Sequence, residues 1–360
     1  MNEPKFRLLQ ENEHNELVDC IKQVYIESGG WKADEFDLGL WSWQYIENEV
    51  PSFVIVVEID GKIIGYIHTL RFPMMVFDEP TIGGISLDIG ILKDYRLKGL
   101  FGKMATYNRE FLKNEDTTTV FYGFPNSKSL PGQQRYSKLK IAGIIPAYIL
   151  PLQPFHIIAK KIPILKFFSG IDIVCNGLYK IFFKKYLRSN NQYKIEEISE
   201  FDEKIQTISQ EFTKNTITII RSSRFLNWRY FKKPNHNYKA FVAHKNNQQV
   251  AYIVTRYAEV YGLKSLLIMD LGCVNNETNV LLELIASQVM KAKSEGASLV
   301  MTMGQHLFFK SLYKIGFIRI PEFKNPRPFI LISCNLKDEH IEGLSDSKRW
   351  FLTFSDYDVF

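Results

Sequence analysis

The chain has 360 residues, more than one hydrophobic core usually holds, so two domains are expected. Its 46% hydrophobic and 23% charged residues are typical of a globular protein, and its 14% aromatic content suits sheets and apolar grooves more than long coiled coils. The net charge of +6 favours an anionic ligand or surface but is too small to indicate nucleic-acid binding by itself.

Cysteine usage and hydropathy set the expected compartment. The four cysteines, Cys20, Cys175, Cys273 and Cys334, are far apart and form no C-x-x-C pair, so we expect free thiols in a reducing cytoplasm. The polar, acidic segment 1–16 does not resemble a signal peptide, and no run of 18 apolar residues predicts a membrane-spanning helix. The histidines show no metal-ligand spacing, so no metal is expected.

The first half of the chain predicts a mixed α/β module. Its predicted elements are, in chain order, a strand at 6–9, helices at 13–27 and 36–47, strands at 53–59, 62–71 and 85–92, a helix at 100–112, a strand at 118–124, a helix around 127–139 and an extended segment at 144–150. Asp60-Gly61 predicts a two-residue hairpin turn. This order indicates a sheet that is antiparallel at its start and has one parallel crossover.

The two halves of the chain resemble each other, which indicates a repeated module. Four motifs return in the same order: Trp43-Gln44-Tyr45 as Trp228-Arg229-Tyr230, Gly65-Tyr66-Ile67-His68-Thr69 as Ala251-Tyr252-Ile253-Val254-Thr255, Asp88-Ile89-Gly90-Ile91 as Asp270-Leu271-Gly272-Cys273, and Tyr136-Ser137-Lys138-Leu139 as Tyr313-Lys314-Ile315-Gly316. We predict domains at 1–150 and 193–337, a connecting segment at 151–192, and a tail at 338–360 that packs back on the body.

The loop 93–102, between a predicted strand and a predicted helix, has the composition of an anion site. Gly99 and Gly102 allow the backbone to bend and to approach a ligand closely. The amides at the start of the following helix favour an anion, and a pyrophosphate is the natural occupant. Arg96, Lys98 and Lys103 add positive charge around the loop. A solvated basic turn would show the same residues.

The run 87–99 followed by Leu100, Phe101 and Gly102 resembles the central motif of the GCN5-related N-acetyltransferase (GNAT) superfamily, a strand and then Q/R-x-x-G-x-G/A before a helix. The sequence departs from this pattern where Phe101 replaces the small residue and Gly102 follows one position later. The resemblance extends through 121–126 and 136–139. It covers most of 1–150 and, more weakly, 193–335.

This resemblance implies a fold and a set of site residues. The fold would be α/β with a mixed sheet, as two tandem GNAT-like acyl-CoA N-acyltransferase domains. The residues implied to bind acetyl-CoA are Ile89, Gly90 and Ile91 on the pantetheine arm, Arg96, Leu97, Lys98, Gly99, Leu100, Phe101, Gly102 and Lys103 around the pyrophosphate, and Asn126 near the arm. Tyr136 matches the tyrosine that often protonates the departing thiolate in this family, although a helical tyrosine at apolar spacing can also be a core residue.

Amine acylation requires orientation of both partners, removal of a proton and stabilisation of an oxyanion. A backbone amide near Ile89 could bind the oxyanion. The general base could be Asp88, or Glu58 on a neighbouring strand through a water molecule. Strand carboxylates beside a basic loop can also be structural ion pairs, so both readings of these two residues stay open.

The second copy lacks the features of the first loop. After Asp270-Leu271-Gly272-Cys273 the sequence continues with 274–279, which holds no arginine, lysine or glycine, and Glu277 would repel an anion. The helix predicted at 281–292 and the pattern at 312–317 remain. We predict that this copy keeps the fold without binding the cofactor and that it walls the acceptor groove or supports the first domain.

The connecting segment is basic and aromatic. Within 156–188, one acid, Asp172, accompanies seven cations: Lys160, Lys161, Lys166, Lys180, Lys184, Lys185 and Arg188. An amphipathic helix of this kind could lie on an anionic membrane surface, or it could bridge the two modules with its lysine stems covering an apolar edge.

Three functions stay open at this point. The first is an acetyl-CoA-dependent N-acetyltransferase, cytoplasmic and metal-free, that acts on a primary amine of a small molecule such as an amino sugar. The second is an enzyme like the tRNA-dependent aminoacyl transferases that extend peptidoglycan peptides. The third is a non-catalytic protein that binds coenzyme A or a partner at a membrane surface.

Overall fold

A computed structural model describes residues 3–28, 37–96, 99–115, 117–154, 179, 182–183, 186–187, 192–274, 277–325, 327–337, 341 and 343–357. The chain divides into two compact units. The first contains residues 1–144, 232–235 and 329–349, and the second contains 145–231, 236–328 and 350–360. The seven cations of the connecting segment lie outside the described residues.

The elements follow the predicted order in both halves. In the first half they are β1 (Lys5–Leu8), α1 (His14–Glu27), α2 (Leu38–Tyr45), β2 (Val50–Ile59), β3 (Lys62–Val76), β4 (Glu79–Ile91), α3 (Leu100–Asn114), β5 (Thr118–Gly123), α4 (Leu130–Tyr136), β6 (Lys140–Ile145) and β7 (Ala147–Pro151). In the second half they are β8 (Lys194–Ile198), α5 (Lys204–Phe212), β9 (Ile217–Ile219), α6 (Ser223–Tyr230), β10 (Tyr238–Lys245), β11 (Gln248–Val260), β12 (Leu263–Cys273), α7 (Thr278–Ser294), β13 (Leu299–Gln305), β14 (Ile318–Arg319), β15 (Phe329–Asn335) and β16 (Leu352–Thr353).

The sheet of the first unit confirms the mixed α/β prediction. Its strands lie in the order β1-β2-β3-β4-β5-β15-β6. Strands β1 to β4 pair antiparallel, and β4 pairs parallel with β5 through the crossover helix α3. The predicted hairpin turn lies between β2 and β3, where Asp60 and Gly61 both have the positive φ that a tight two-residue turn requires.

The second unit repeats this arrangement in the order β14-β7-β13-β12-β11-β10-β8, again with one parallel pair, β12 with β13. The repeat extends to helix capping. Asp37 accepts a hydrogen bond from the Leu40 amide at the start of α2, and Ser222 accepts one from the Phe225 amide at the start of α6. Both caps stand six residues before the tryptophan that the two halves share.

Strand β7 of the first half lies in the second sheet and strand β15 of the second half lies in the first sheet, so the compact units do not end at the predicted boundaries at 150 and 193–337. Strand β7 pairs antiparallel with β13 in the second unit, and β15 pairs antiparallel with β5 in the first. The two strands hold equivalent positions, because β15 lies between β5 and β6 in the first sheet and β7 lies between β13 and β14 in the second. An apolar strand can pair in either sheet, so its sequence does not specify its hydrogen-bond partner.

In the second unit the C-terminal tail lies between β12 and β13. These strands pair only as far as Ile268 and Thr302. Beyond that point Thr353 of β16 pairs with Gly304 of β13, and its hydroxyl donates to Asp270 of β12 at 3.1 Å. Residues 350–357 are buried throughout. The chain therefore fills this opening with its own tail.

A buried charge network holds the tail in place. The Arg221 guanidinium donates to Asp270 at 3.4 Å and to Asp356 of the tail, and all three side chains are fully buried. Burial raises the pKa of Asp270 to about 6 although Arg221 opposes the shift. Burial would lower the pKa of Arg221, but Asp356 and Asp270 outweigh it and raise that pKa. One cation thus faces two carboxylates in the interior.

We expect the Arg221→Met substitution to lower the free energy of unfolding by about 3–5 kcal/mol, because it leaves two buried carboxylates without their cation. Denaturant titration followed by circular dichroism measures this loss. Arg224→Met is the matched control, since Arg224 lies exposed in α6 of the same unit. Equal losses in the two variants would contradict a stabilising role for the network.

Candidate active site

In the first unit, β4 and β5 separate and open a cleft. Their parallel pairing spans Ile82–Ile85 of β4, and within the described residues β4 then continues to Ile91 without pairing to β5. On its other edge β4 remains paired with β3 as far as Ile91. Backbone N–H and C=O groups at the free edge require partners, so a ligand that runs along β4 could supply them.

Helix α3 begins at the end of this cleft. Gly99 precedes the helix with φ +71°, and a Cβ built on it would meet no atom within 4 Å. The helix ladder starts where the Lys103 N–H donates to the Gly99 carbonyl at 3.2 Å. The amides of the first turn therefore have no acceptor within the helix and can bind an anion. Leu97 and Lys98 lie outside the described residues.

The cleft has a volume of about 600 Å³ and contains most of the predicted site residues. It is lined by residues of α1, β3, β4, α3, α4 and the loop before α3: Val24, Tyr25, Ser28, Tyr66, Asp88, Ile89, Gly90, Ile91, Tyr95, Arg96, Gly99, Leu100, Phe101, Gly102 and Tyr136. The structure thus brings Asp88 and Tyr136 to the same cleft as the glycine loop.

Two ring-on-glycine contacts account for the unusual Phe101. A Cβ on Gly102 would lie 2.6 Å from the Tyr136 ring, and a Cβ on Gly132 would lie 2.4 Å from the Phe101 ring. Phe101 therefore packs on α4 at Gly132, while Gly102 leaves the space that the Tyr136 ring occupies. Helices α3 and α4 approach closely through these contacts. Phe101 and Gly102, where the sequence departs from the motif that it resembles, thus fix the position of Tyr136.

Asp88 lies at a β-bulge. Its two neighbours on β4, Leu87 and Ile89, pair with consecutive residues of β3, and Asp88 itself has φ +39°. Its carboxylate accepts hydrogen bonds from the Tyr25 hydroxyl at 3.2 Å and from the Tyr45 hydroxyl. Helices α1 and α2 thus hold the carboxylate at the wall of the cleft.

Arg96 braces the loop instead of extending freely into the cleft. Its Nε donates to the Ile91 carbonyl at 2.8 Å, and its guanidinium lies 3.4 Å from Glu27. Glu27, at the end of α1, also accepts from the Lys93 amide at 2.6 Å. The loop is therefore tied to β4 and to α1 before the glycine turn begins.

Three predicted residues do not line the cleft. Glu58 pairs with Arg7 at 2.7 Å in an ion pair of the sheet edge, which corrects its assignment as a candidate base. Asn126 accepts hydrogen bonds from the Lys128 and Ser129 amides, both at 3.0 Å, so it forms the turn before α4. Lys103 lies beyond the first turn of α3 and is absent from the lining.

Four residues around the site were not among those predicted from the sequence. Tyr25 and Tyr45 contact Asp88 from two helices, Glu27 holds the loop, and His68 lies behind Asp88 with its Nδ1 3.3 Å from the Asp88 carbonyl. Of these, His68 could have been found from the sequence, because it is a polar residue in the apolar run of β3 and its equivalent in the second copy is Val254.

Neither a family model nor a curated protein sequence matches this chain. Solved structures do. A probable N-acyltransferase from Enterococcus faecalis V583 has a TM-score of 0.65 and 10% identity over 93% of this chain and 73% of that chain. A GCN5-related N-acetyltransferase from Anabaena variabilis ATCC 29413 has a TM-score of 0.61 and 11% identity over 93% and 73%.

A tandem GNAT protein from the clavulanic acid biosynthesis pathway matches along its whole length, with a TM-score of 0.51 and 11% identity over 94% of this chain and 100% of that chain. The chain has the tandem GNAT fold. Identities of 10–11% show the fold alone.

The described part of the chain shows neither a membrane-spanning helix nor a metal-binding cluster. None of its helices is both long and apolar enough to cross a bilayer. Its histidine, cysteine and acidic side chains form no group of three or more that could hold a metal ion.

The buried His68 predicts a pH dependence of stability. Burial lowers its pKa to about 4, although the Asp88 charge opposes this, whereas an unfolded histidine titrates near 6.5. Between these values only the unfolded chain binds the proton. We expect this residue to lower the free energy of unfolding by up to about 1.4 kcal/mol per pH unit as pH falls from ~6.5 towards ~4.

Urea titrations at pH 7.5 and 5.0 measure that loss, and His68→Val should reduce the difference between the two pH values. The buried His306 of the second unit, whose pKa burial also lowers to about 4, is unchanged in this variant and serves as an internal reference. An unaltered pH difference would contradict the prediction.

Proposed function

We propose that this chain is an N-acyltransferase that moves the acetyl group of acetyl-CoA to a primary amine of a small molecule, with amino sugars as the first acceptors to test. One observation carries the proposal: the free edge of β4 leads directly to the left-handed Gly99 and the first turn of α3 within one cleft. A strand edge followed by an anion site matches the amide-rich arm and the pyrophosphate of coenzyme A.

The residues present fit that cofactor. Ile89, Gly90 and Ile91 offer backbone groups along the pantetheine arm, and the amides of Leu100–Gly102 face the pyrophosphate. Open space around Gly99 lets the phosphates approach the backbone. When bound, acetyl-CoA supplies the acyl group as an activated thioester.

Two side chains of the cleft carry the proton transfers in this proposal. The Asp88 carboxylate takes the proton that the attacking amine releases, and the hydroxyls of Tyr25 and Tyr45 keep it oriented meanwhile. Tyr136, packed on Gly102, delivers a proton to the leaving sulfur. A backbone amide near Ile89 stabilises the oxyanion.

The second unit has no part in cofactor binding in this proposal. The place that corresponds to the cleft is filled by residues 350–357, and Asp270, the counterpart of Asp88, is buried against Arg221. The proposal therefore gives one cofactor site per chain.

We expect isothermal titration calorimetry with acetyl-CoA to give one site per chain, and Gly99→Val to weaken binding at least tenfold. Valine is strained at φ +71°, and its side chain would fill the space beside the helix amides. Gly296→Val is the matched control, because Gly296 has φ +79° and equally open surroundings in the second unit.

Absence of binding at millimolar acetyl-CoA in the wild-type chain would overturn the proposed function. Equal losses in both glycine variants would show that backbone strain, and not the site, causes the effect.

We expect Tyr136→Phe to lower kcat about 10²-fold or more while the affinity for acetyl-CoA stays within twofold, because the ring still packs on Gly102 but its proton is gone. Thiol release from acetyl-CoA with glucosamine as the amine measures the rate. Tyr107→Phe, on the exposed face of α3, is the control. An unchanged kcat would remove Tyr136 as the acid.

A further inference from the structure

His68 is a buried polar residue behind the cleft of the first unit. Its side chain is fully buried in β3. The Trp41 indole Nε1–H donates to His68 Nε2 at 3.2 Å, and His68 Nδ1 lies 3.3 Å from the Asp88 carbonyl oxygen. The Tyr45 ring lies against the imidazole with 4.1 Å between centroids.

These two contacts select one form of the imidazole. An indole N–H only donates, so Nε2 must carry a lone pair, and the ring proton must then be on Nδ1, where it donates to the Asp88 carbonyl. A second proton would place two N–H groups face to face at Trp41. The titratable groups around the ring are Tyr45 on α2, Tyr66 on β3 and Asp88 on β4. Burial lowers the pKa of His68 to about 4, in agreement with a neutral ring.

The second unit shows what the fold does without this histidine. There Val254 stands in place of His68 and Leu226 in place of Trp41. Strands β11 and β12 still have a bulge, but Asp270 pairs with Val254 and the residue skipped is Met269. In the first unit the skipped residue is Asp88 itself. The fold thus forms a bulge in both copies, and the copy with His68 has it at the aspartate of the cleft.

We infer that His68 is a positioning residue that, as the neutral Nδ1–H tautomer held by Trp41, fixes the β-bulge at Asp88 and thereby aims the Asp88 carboxylate into the cleft. This inference rests on the proposed function for the role of Asp88 as the base. A left-handed aspartate is uncommon and needs its surroundings to hold it. The Nδ1–H bond holds its carbonyl, and the hydroxyls of Tyr25 and Tyr45 hold its carboxylate.

Nitrogen-15 NMR of the histidine rings in the full chain tests the tautomer directly. The resonances of His68, assigned by their loss in His68→Asn, should show a proton on Nδ1 and none on Nε2 at pH 7.5. In Trp41→Phe the indole donor is gone, so the Nε2–H tautomer should gain population, while the Asp88 carbonyl still favours the Nδ1 proton. A proton on Nε2, or a charged ring, in the wild-type chain would overturn the inference.

Three variants test the positioning role. His68→Val, which copies the second unit, should change the carbon-13 chemical shift of the Asp88 carboxyl at pH 7.5 and lower kcat with acetyl-CoA and glucosamine about 10²-fold, with KM for acetyl-CoA within twofold. His68→Asn retains an N–H near Nδ1 and should recover most of that loss. His244→Val removes a strand histidine of the second unit and should change neither quantity.

The proposed function and the positioning role of His68 can fail independently, and the measurements distinguish the two cases. If the wild-type chain neither binds nor consumes acetyl-CoA, the proposed function fails, while the two NMR measurements still decide the positioning of Asp88. If His68→Val folds with the wild-type melting temperature and leaves the carbon-13 chemical shift of the Asp88 carboxyl unchanged, the positioning role fails whatever the reaction is.

Discussion

The separation of the two parallel strands in each unit is the structural feature on which the rest of the fold depends. A parallel pair can share hydrogen bonds only while its strands stay side by side, and in both units the pair separates after about four residues. The groups left along the inner edges must then find partners elsewhere. The two copies of the module meet this requirement differently. The first leaves a cleft beside β4, and the second places the chain's own tail between β12 and β13.

This difference explains why equivalent aspartates have different surroundings in the two units. Asp270 is enclosed with Arg221 and Asp356 in a charge network without access to water, where a carboxylate serves stability. Among its described contacts Asp88 has no buried arginine partner. Its carboxylate accepts hydrogen bonds from two tyrosine hydroxyls at the wall of the cleft. The same aspartate thus belongs to the core in one unit and to a candidate reaction centre in the other.

Close packing of rings on glycines gives the site its shape. Tyr66 lies on Gly90 in the first unit, and Tyr252 lies on Gly272 in the second, so the repeated Tyr and Gly positions form the same contact in both units. Gly102 adds the contact that only the first unit needs, because it admits the Tyr136 ring between α3 and the cleft. Any side chain at Gly90 or Gly102 would displace a ring that lines the cleft, Tyr66 or Tyr136.

The sequence by itself determined the repeat, the order of helices and strands, the hairpin at Asp60-Gly61 and the glycine loop, because hydrophobic periodicity, turn residues and local composition are properties of adjacent residues. It also placed Asp88 and Tyr136 near the loop, through motifs that the structure brings into one cleft. Only the tertiary structure decided which strands pair across the halves, why Glu58 turns to Arg7, and how Tyr25, Tyr45 and His68 converge on Asp88. Those outcomes depend on residues far away in the chain, and the local sequence around a side chain does not specify its distant contact partners.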